Sequence, residues 1–152
     1  MKHEAHSSYK LLIIMAVVHF FAMYLLMYSM VDNFSNIYPN FNQFYMAGIM
    51  TSPMLILEIA LMNKMYPNKK LNFLIVMLSI ILFITLFLFV RNQTAISDEQ
   101  FLKSMIPHHS AAILMCEKAQ ITDAEIKDLC ERIISNQQSE IEFMKTKLSS
   151  LS

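Results

Sequence analysis

The chain has 152 residues, is 55% hydrophobic, and balances twelve basic against twelve acidic side chains. A net charge of zero with no basic cluster argues against a nucleic-acid partner. A single glycine argues against glycine-rich phosphate loops, and so against most nucleotide-binding folds. Fourteen methionines are more than packing alone suggests.

Three long apolar segments lie in the first part of the chain: residues 11–31, 44–62 and 71–90. Each has about the 20 residues that an α-helix needs to cross the hydrocarbon core of a bilayer. Charged residues become frequent only after Arg91. We therefore predict a membrane domain at residues 1–91 with three transmembrane helices, and a soluble domain at residues 92–152.

The distribution of lysine predicts the orientation in the membrane. Lys2 and Lys10 precede the first segment and three lysines lie in residues 63–70, whereas residues 32–43 contain neither lysine nor arginine. Because cytoplasmic loops carry the excess of basic residues, the N-terminus is expected in the cytoplasm. The protein would then be a multi-pass protein of the cell (inner) membrane, with residues 92–152 periplasmic or extracellular.

Two capping boxes predict the helices of the soluble domain. Ser97-Asp-Glu-Gln100 and Thr122-Asp-Ala-Glu125 have the form of helix starts, and they predict antiparallel helices at about 98–119 and 123–149. Pro107 predicts either a kink or a helix that restarts there. A restart would place two histidines at the positive end of a helix dipole, which favours neutral rings that are ready to bind metal.

Helical spacing aligns chemically active side chains on the two predicted helices. Two stripes follow the first helix: Met105, His108, Ala112 and Met115, and beside them Ile106, His109, Ile113 and Cys116. The apolar face of the second helix contains Ile126, Cys130, Ile133, Gln137, Ile141 and Met144. Pairing these faces would bring His, Met and Cys groups into one interior. Because two helices leave an apolar face open, we expect a homodimer or larger assembly that completes a four-helix bundle.

Two motifs in order resemble the domain of unknown function 305 family over residues 97–151. They are Phe101-Leu-x-x-Met-Ile-Pro-His-His-x-x-Ala-Ile-x-Met115 and Ile133-Ile-x-x-Gln137-x-x-Glu140-Ile-x-x-Met144. The resemblance implies a ferritin-like helical bundle and an association with copper. It also implies a set of metal-associated side chains, which are Met105, His108, His109, Met115 and Met144. Gln137 and Glu140 match the polar signature of the family's second helix and would support these ligands.

Thioether and imidazole ligands suit copper, and thioethers favour the cuprous ion. Zinc is the alternative metal, although methionine is not one of its ligands. A methionine-packed helix interface without metal is the alternative to any site. Cys116 and Cys130 lie outside the family pattern, and a disulfide, metal thiolates and buried free thiols all remain open for them.

His19 and Glu58 lie within the predicted spans, where an ionisable side chain is costly unless it is paired. They are candidates for a polar contact or for a metal relay along the methionines of the spans. No arrangement of nucleophile and base is present in the sequence, so we do not expect an enzyme.

The sequence thus predicts an all-α membrane protein whose external hairpin binds copper for sequestration or delivery. A copper-handling protein is the expected partner. The alternative functions are an assembly protein whose hairpin mediates oligomerisation or partner recruitment without metal, and a transport accessory that uses the methionine-lined spans.

Overall fold

The part of the chain that the structure describes is entirely helical. The computed structural model describes the backbone of residues 2–151 and the side chains of residues 7–151, and no β-strand occurs among them. The five α-helices are α1 Lys2–Leu26, α2 Phe41–Leu61, α3 Lys69–Asn92, α4 Asp98–Lys118 and α5 Ala124–Leu151. Two short 3-10 helices, Met27–Met30 and Phe34–Asn36, lie between α1 and α2. The prediction of an all-α chain is confirmed.

Three helical stretches are long and apolar enough to cross a membrane: Ser7–Met30, Phe41–Leu61 and Lys69–Asn92. They coincide with the three predicted spans. Hydroxyl groups within them bond to the carbonyl one turn earlier, as Thr51 does with Ala47 and Ser79 with Ile75, both at 2.8 Å. A hydroxyl with an internal partner does not need water, which suits a helix in lipid.

The chain divides into two compact units. The first contains α1 to Leu26 and residues 42–94, and the second contains residues 27–41 together with the chain from Ala95 onward. The connection between α1 and α2, which the sequence analysis assigned to the membrane domain, therefore belongs to the same unit as α4 and α5.

The single glycine of the chain lies in α2 against the side chain of Leu86 in α3. A Cβ atom at Gly48 would overlap the Cδ1 atom of Leu86, so only glycine fits without a shift of the neighbouring side chain. The rings of Tyr45 and Phe89 meet edge to face on the same pair of helices, with centroids 5.5 Å apart.

The core of the second unit lies between α4 and α5. It consists of Leu102, Ile106, Ile113, Ile141, Met144 and Leu148. The Cys116–Cys130 disulfide joins the end of α4 to the beginning of α5, with Cα atoms 5.2 Å apart. The chain therefore reverses direction between the two helices, and they pack along each other.

Side-chain caps mark the starts of α4 and α5, with two corrections to the predicted capping boxes. Ser97 caps α4 as predicted, and its side chain accepts from the N–H of Gln100. The side-chain oxygen of Gln100, however, accepts from the N–H of Phe41 at 3.0 Å. Asp123, rather than Thr122, caps α5, because its carboxylate accepts from the N–H groups of Glu125 and Ile126.

α4 runs unbroken through Pro107, so of the two alternatives for this proline, a kink or a restart, the restart is wrong. Proline cannot donate a hydrogen bond to the carbonyl of Lys103. The side chain of Asn40 donates to that carbonyl instead, at 3.4 Å. Asn40 is 4% exposed and lies just before α2. A residue far away in sequence thus compensates for the missing helical bond, and both histidines lie in the middle of α4.

Candidate metal centre

Packing separates the two adjacent histidines of α4. His109 is 8% exposed and lies between the buried side chains of Ile106 and Ile113, whereas His108 is exposed. Consecutive residues on a helix differ by about 100° in direction, so only one of the two can face α5. The interior histidine is His109.

Glu140 of α5 binds the ring of His109. The Nε2 atom of His109 lies 2.7 Å from the Oε2 atom of Glu140. If Nε2 carries the hydrogen and donates it to the carboxylate, Nδ1 of the neutral ring carries a free lone pair. Nδ1 is buried and has no hydrogen-bond partner among the residues that the structure describes. This arrangement of carboxylate and imidazole is typical of metal-binding histidines, whose second nitrogen is held by a carboxylate.

Two of the predicted sulfur ligands lie in the same core. Met144 is 6% exposed, one turn after Glu140 on α5, and Met105 packs against the cluster from one turn before His109 on α4. The side-chain oxygen of Gln137, one turn before Glu140, is a second buried acceptor without a partner. Imidazole, thioether and amide groups therefore face the interface from both helices.

The other predicted ligands lie outside this interior. Met115 is 53% exposed, and His108 is exposed, with its ring centroid 6.0 Å from that of His109. Among the described residues, no three side chains of the His, Cys, Asp and Glu types are grouped to hold a metal ion. A site here would therefore depend on thioether ligands beside a single buried imidazole, a donor set that suits cuprous copper better than zinc.

The structure resolves the three alternatives for the cysteines. Cys116 and Cys130 are joined in a disulfide, and no free cysteine remains. A disulfide consumes both thiolates, so they are not metal ligands in this state. Disulfides persist in oxidising compartments.

His19 and Glu58, the two candidates within the predicted spans, each have a polar partner in the first unit. The Nδ1 atom of His19 lies 3.2 Å from the hydroxyl oxygen of Thr51. The hydroxyl of Tyr66 donates to a carboxylate oxygen of Glu58 at 3.0 Å. These are the polar contacts that the sequence analysis put forward as the alternative to a metal relay.

A polar cluster that was not predicted from the sequence attaches residues 27–41 to α4. The hydroxyl oxygen of Ser110 accepts from the N–H of Asp32 at 2.8 Å, and it donates to the carboxylate of Asp32. Asn36, which is 4% exposed, donates to the same carboxylate at 2.8 Å. The available signal was Asp32 itself, since it is the only charged residue between Leu11 and Leu57.

Comparison with known proteins gives the family. The pattern described as Domain of unknown function (DUF305) matches residues 90–148, which include all of α4 and most of α5. An uncharacterized protein of Acanthamoeba polyphaga mimivirus is 32% identical over 139 residues, which cover 90% of each chain. The chain belongs to the DUF305 family.

The family resemblance predicted from the two motifs is thereby confirmed. The region of this DUF305 protein that aligns with the mimiviral relative is longer than the segment that the family pattern matches. The similarity therefore extends into the apolar helices. No solved structure matches the chain.

Proposed function

We propose that this DUF305 protein is a membrane-anchored, extracytoplasmic copper-binding protein, rather than an enzyme, that sequesters or delivers cuprous ions in metal homeostasis. The observation that carries the proposal is the ring of His109. One nitrogen is held by Glu140, and the other is buried without a partner. A buried acceptor without a partner is costly, and a metal ion would use its lone pair.

In this proposal Met105 and Met144 supply soft sulfur ligands beside His109. Thioethers need no deprotonation, so they bind in an acidic or oxidising compartment where thiolates are lost. Gln137 and Glu140 orient the ligands rather than bind the ion. Zinc remains the alternative metal, with His109 as its ligand.

His108 and Met115 have a different part in the proposal because they are exposed. They would receive the ion from solution, or from a copper-handling protein, and pass it to His109. Adjacent imidazoles, one outside and one inside, provide such a path without movement of the backbone.

The division into units supports a chain with three spans. If the three apolar helices span the membrane, the segment between the first two and the segment after the third lie on the same side. Residues 27–41 and the chain from Ala95 onward can then form one compact unit, as they do here. The absence of lysine and arginine from residues 32–43 favours the external side.

A second copy of the chain would complete a ferritin-like four-helix bundle. Six large apolar side chains of α4 and α5 are between 46% and 69% exposed: Phe101, Met115, Ile126, Leu129, Phe143 and Leu151. Exposed apolar groups of this size favour association. The same observation supports the alternative function, an assembly protein that uses this surface without metal. Sedimentation of the full-length protein in detergent should give a dimer or a larger species.

The deciding experiment is a cuprous titration of the full-length protein in detergent, in competition with a cuprous chelator. The full chain is required because residues 27–41 are part of the unit that contains α4. We expect His109→Ala to weaken binding at least ten-fold, the effect of losing about 1.4 kcal/mol of ligand free energy. Met105→Leu and Met144→Leu, which conserve volume, should also weaken it.

Matched variants on the same helix control for folding. His108→Ala and Met115→Leu change exposed side chains, so their equilibrium affinity should fall less than that of His109→Ala. Thermal unfolding should be near normal for the leucine variants. If the leucine variants at Met105 and Met144 keep full affinity, or if the native protein binds no cuprous ion, the copper proposal fails and the assembly function is favoured.

A further inference from the structure

A polar pocket lies at the lysine-rich end of the first unit, in the connection between α2 and α3. Its volume is about 420 Å³, and its walls are Asn63, Tyr66, Pro67, Lys69 and Asn72. These residues follow Leu61, where the second apolar helix ends, and they extend into the first turn of α3. If these helices span a membrane, the pocket lies at the level where lipid headgroups meet the ends of the helices.

An apolar pocket of about 300 Å³ lies deeper in the same unit. Side chains of α1, α2 and α3 form its walls, among them Leu12, Ala16, Leu55 and Ile75. Its surface is almost entirely apolar, so it offers no partner to a polar ligand. Its position along the apolar helices suits a hydrocarbon chain.

Tyr9 connects the two pockets. Its ring lines the apolar pocket, and its hydroxyl donates to the side-chain oxygen of Asn72 at 2.6 Å. The hydroxyl also accepts from the N–H of Asn68 at 3.2 Å. Leu71 lines the apolar pocket, and its neighbour Asn72 lines the polar one. The pockets are thus held side by side, with polar groups on one side of Tyr9 and apolar groups on the other.

The charge around the polar pocket is positive. Lys69 lines it, and Lys64 and Lys70 lie beside it in sequence. Glu58 on α2 accepts a hydrogen bond from the hydroxyl of Tyr66, a residue of the pocket wall, and its single negative charge is outnumbered by the three lysines. The pocket also includes the start of α3, where the helix dipole is positive. A phosphate group is the ligand that this combination favours.

We propose that the two pockets together bind one anionic phospholipid. Its phosphate occupies the polar pocket beside Lys69, and one acyl chain occupies the apolar pocket below Tyr9. A free phosphate would leave the apolar pocket unused, and a neutral lipid would leave the lysines without a counter-charge. This site is in a different unit from the candidate metal centre, so either proposal can fail without the other.

The test is a lipid titration of the full-length protein in a neutral detergent, followed by native mass spectrometry. The probes are phosphatidylglycerol, phosphatidylcholine with the same acyl chains, and glycerol phosphate. We expect phosphatidylglycerol to bind at least five-fold more tightly than phosphatidylcholine. Lys69→Gln should lower that affinity about five-fold, the effect of one lysine near an anionic surface. Lys69→Arg should retain it.

Control variants separate the pocket from the net charge. Lys127→Gln removes a lysine from α5 and should leave lipid binding unchanged. Ala16→Phe fills the apolar pocket and should weaken both lipids, whereas Val18→Phe, at a position 61% exposed, should not. Thermal unfolding checks that each variant is folded, and the Lys69 variants test the site even if Ala16→Phe is unstable.

Three results would overturn the proposal. Equal losses for Lys69→Gln and Lys127→Gln would show a general attraction of charge. Equal affinity for the two lipids would show that the headgroup is not recognised. Competition by glycerol phosphate as strong as that by phosphatidylglycerol would show a site for free phosphate.

Discussion

The Nε2 atom of His109 and the Oε2 atom of Glu140 lie 2.7 Å apart, although 31 residues separate them in sequence. The histidine side chain is 10% exposed and the glutamate side chain 56% exposed, so the contact joins the interior of the α4–α5 interface to its surface. Because Glu140 holds Nε2, the contact fixes the orientation of the ring and so the direction in which Nδ1 points.

Replacing Glu140 should therefore affect metal affinity without removing a ligand. We expect Glu140→Gln to lower cuprous affinity by about 10-fold to 100-fold, because an amide holds the ring orientation and its tautomer less strongly than a carboxylate. Glu131→Gln, which removes the same charge elsewhere on α5, is the control. Equal affinities of the two variants would show that Glu140 has no orienting role.

The hydrogen bond from Asn40 to the carbonyl of Lys103 should stabilise the protein only as long as residue 107 is a proline. Asn40→Ala should destabilise the protein by about 1 kcal/mol through this bond, which corresponds to about 2–4 °C in thermal unfolding. In a Pro107→Ala background, residue 107 can donate to Lys103 itself, so the contribution of Asn40 should shrink. A double-mutant cycle in detergent measures the coupling. Additive effects would contradict the compensation argument.

Reduction of the Cys116–Cys130 disulfide should loosen the connection of α4 and α5 without preventing copper binding. Closure of a loop of about 15 residues stabilises by about 3 kcal/mol, so hydrogen exchange of α5 should accelerate by up to about 100-fold after reduction. Alkylation should detect thiols only in the reduced protein. Cys116→Ser/Cys130→Ser should match the reduced protein in exchange and keep the cuprous affinity. A large loss of affinity would instead favour thiolate ligands.

Cysteine labelling should report the orientation. Phe34 is 85% exposed and lies in the same unit as α4 and α5. Phe34→Cys should react with a membrane-impermeant maleimide in intact cells, whereas Lys64→Cys should react only after permeabilisation. The native disulfide does not react. Labelling of Lys64→Cys in intact cells would reverse the proposed topology.

Tyr66 should make stability depend on pH in the alkaline range. Burial, with a smaller effect from the hydrogen bond to Glu58, raises the pKa of Tyr66 from 10.0 to about 12. The folded state thus keeps the proton at a pH where the unfolded state loses it. The stabilisation is complete below pH 10 and is lost as the pH rises toward 12.

The thermal midpoint of the native protein should therefore decrease as the pH rises from 10 to 12. Part of this decrease should be absent in Tyr66→Phe. Glu58→Gln should reduce the slope as well, because Glu58 contributes to the raised pKa. Identical slopes in the native protein and in Tyr66→Phe would show that another group titrates there.

The local features of this protein are determined by sequence alone. Continuous apolar stretches predict the three spans because a helix in lipid must satisfy its backbone internally and needs about 20 apolar residues. Ser97 and the acidic residues after it predict the start of α4 because a cap depends only on neighbouring N–H groups. The motif around His108 and His109 identifies the family for the same reason, since it is continuous in sequence.

Which histidine is interior, and what covers α4, depended on tertiary structure. His108 and His109 have the same chemistry and nearly the same spacing to the methionines, and only packing against α5 distinguishes them. The covering segment at residues 27–41 mixes apolar and polar residues and contains only short 3-10 helices. Its bonds join residues that are distant in sequence, such as Asp32 and Ser110, which are 78 positions apart. Contacts between residues so far apart in sequence leave no periodic pattern along the chain, because only the tertiary structure brings the partners together.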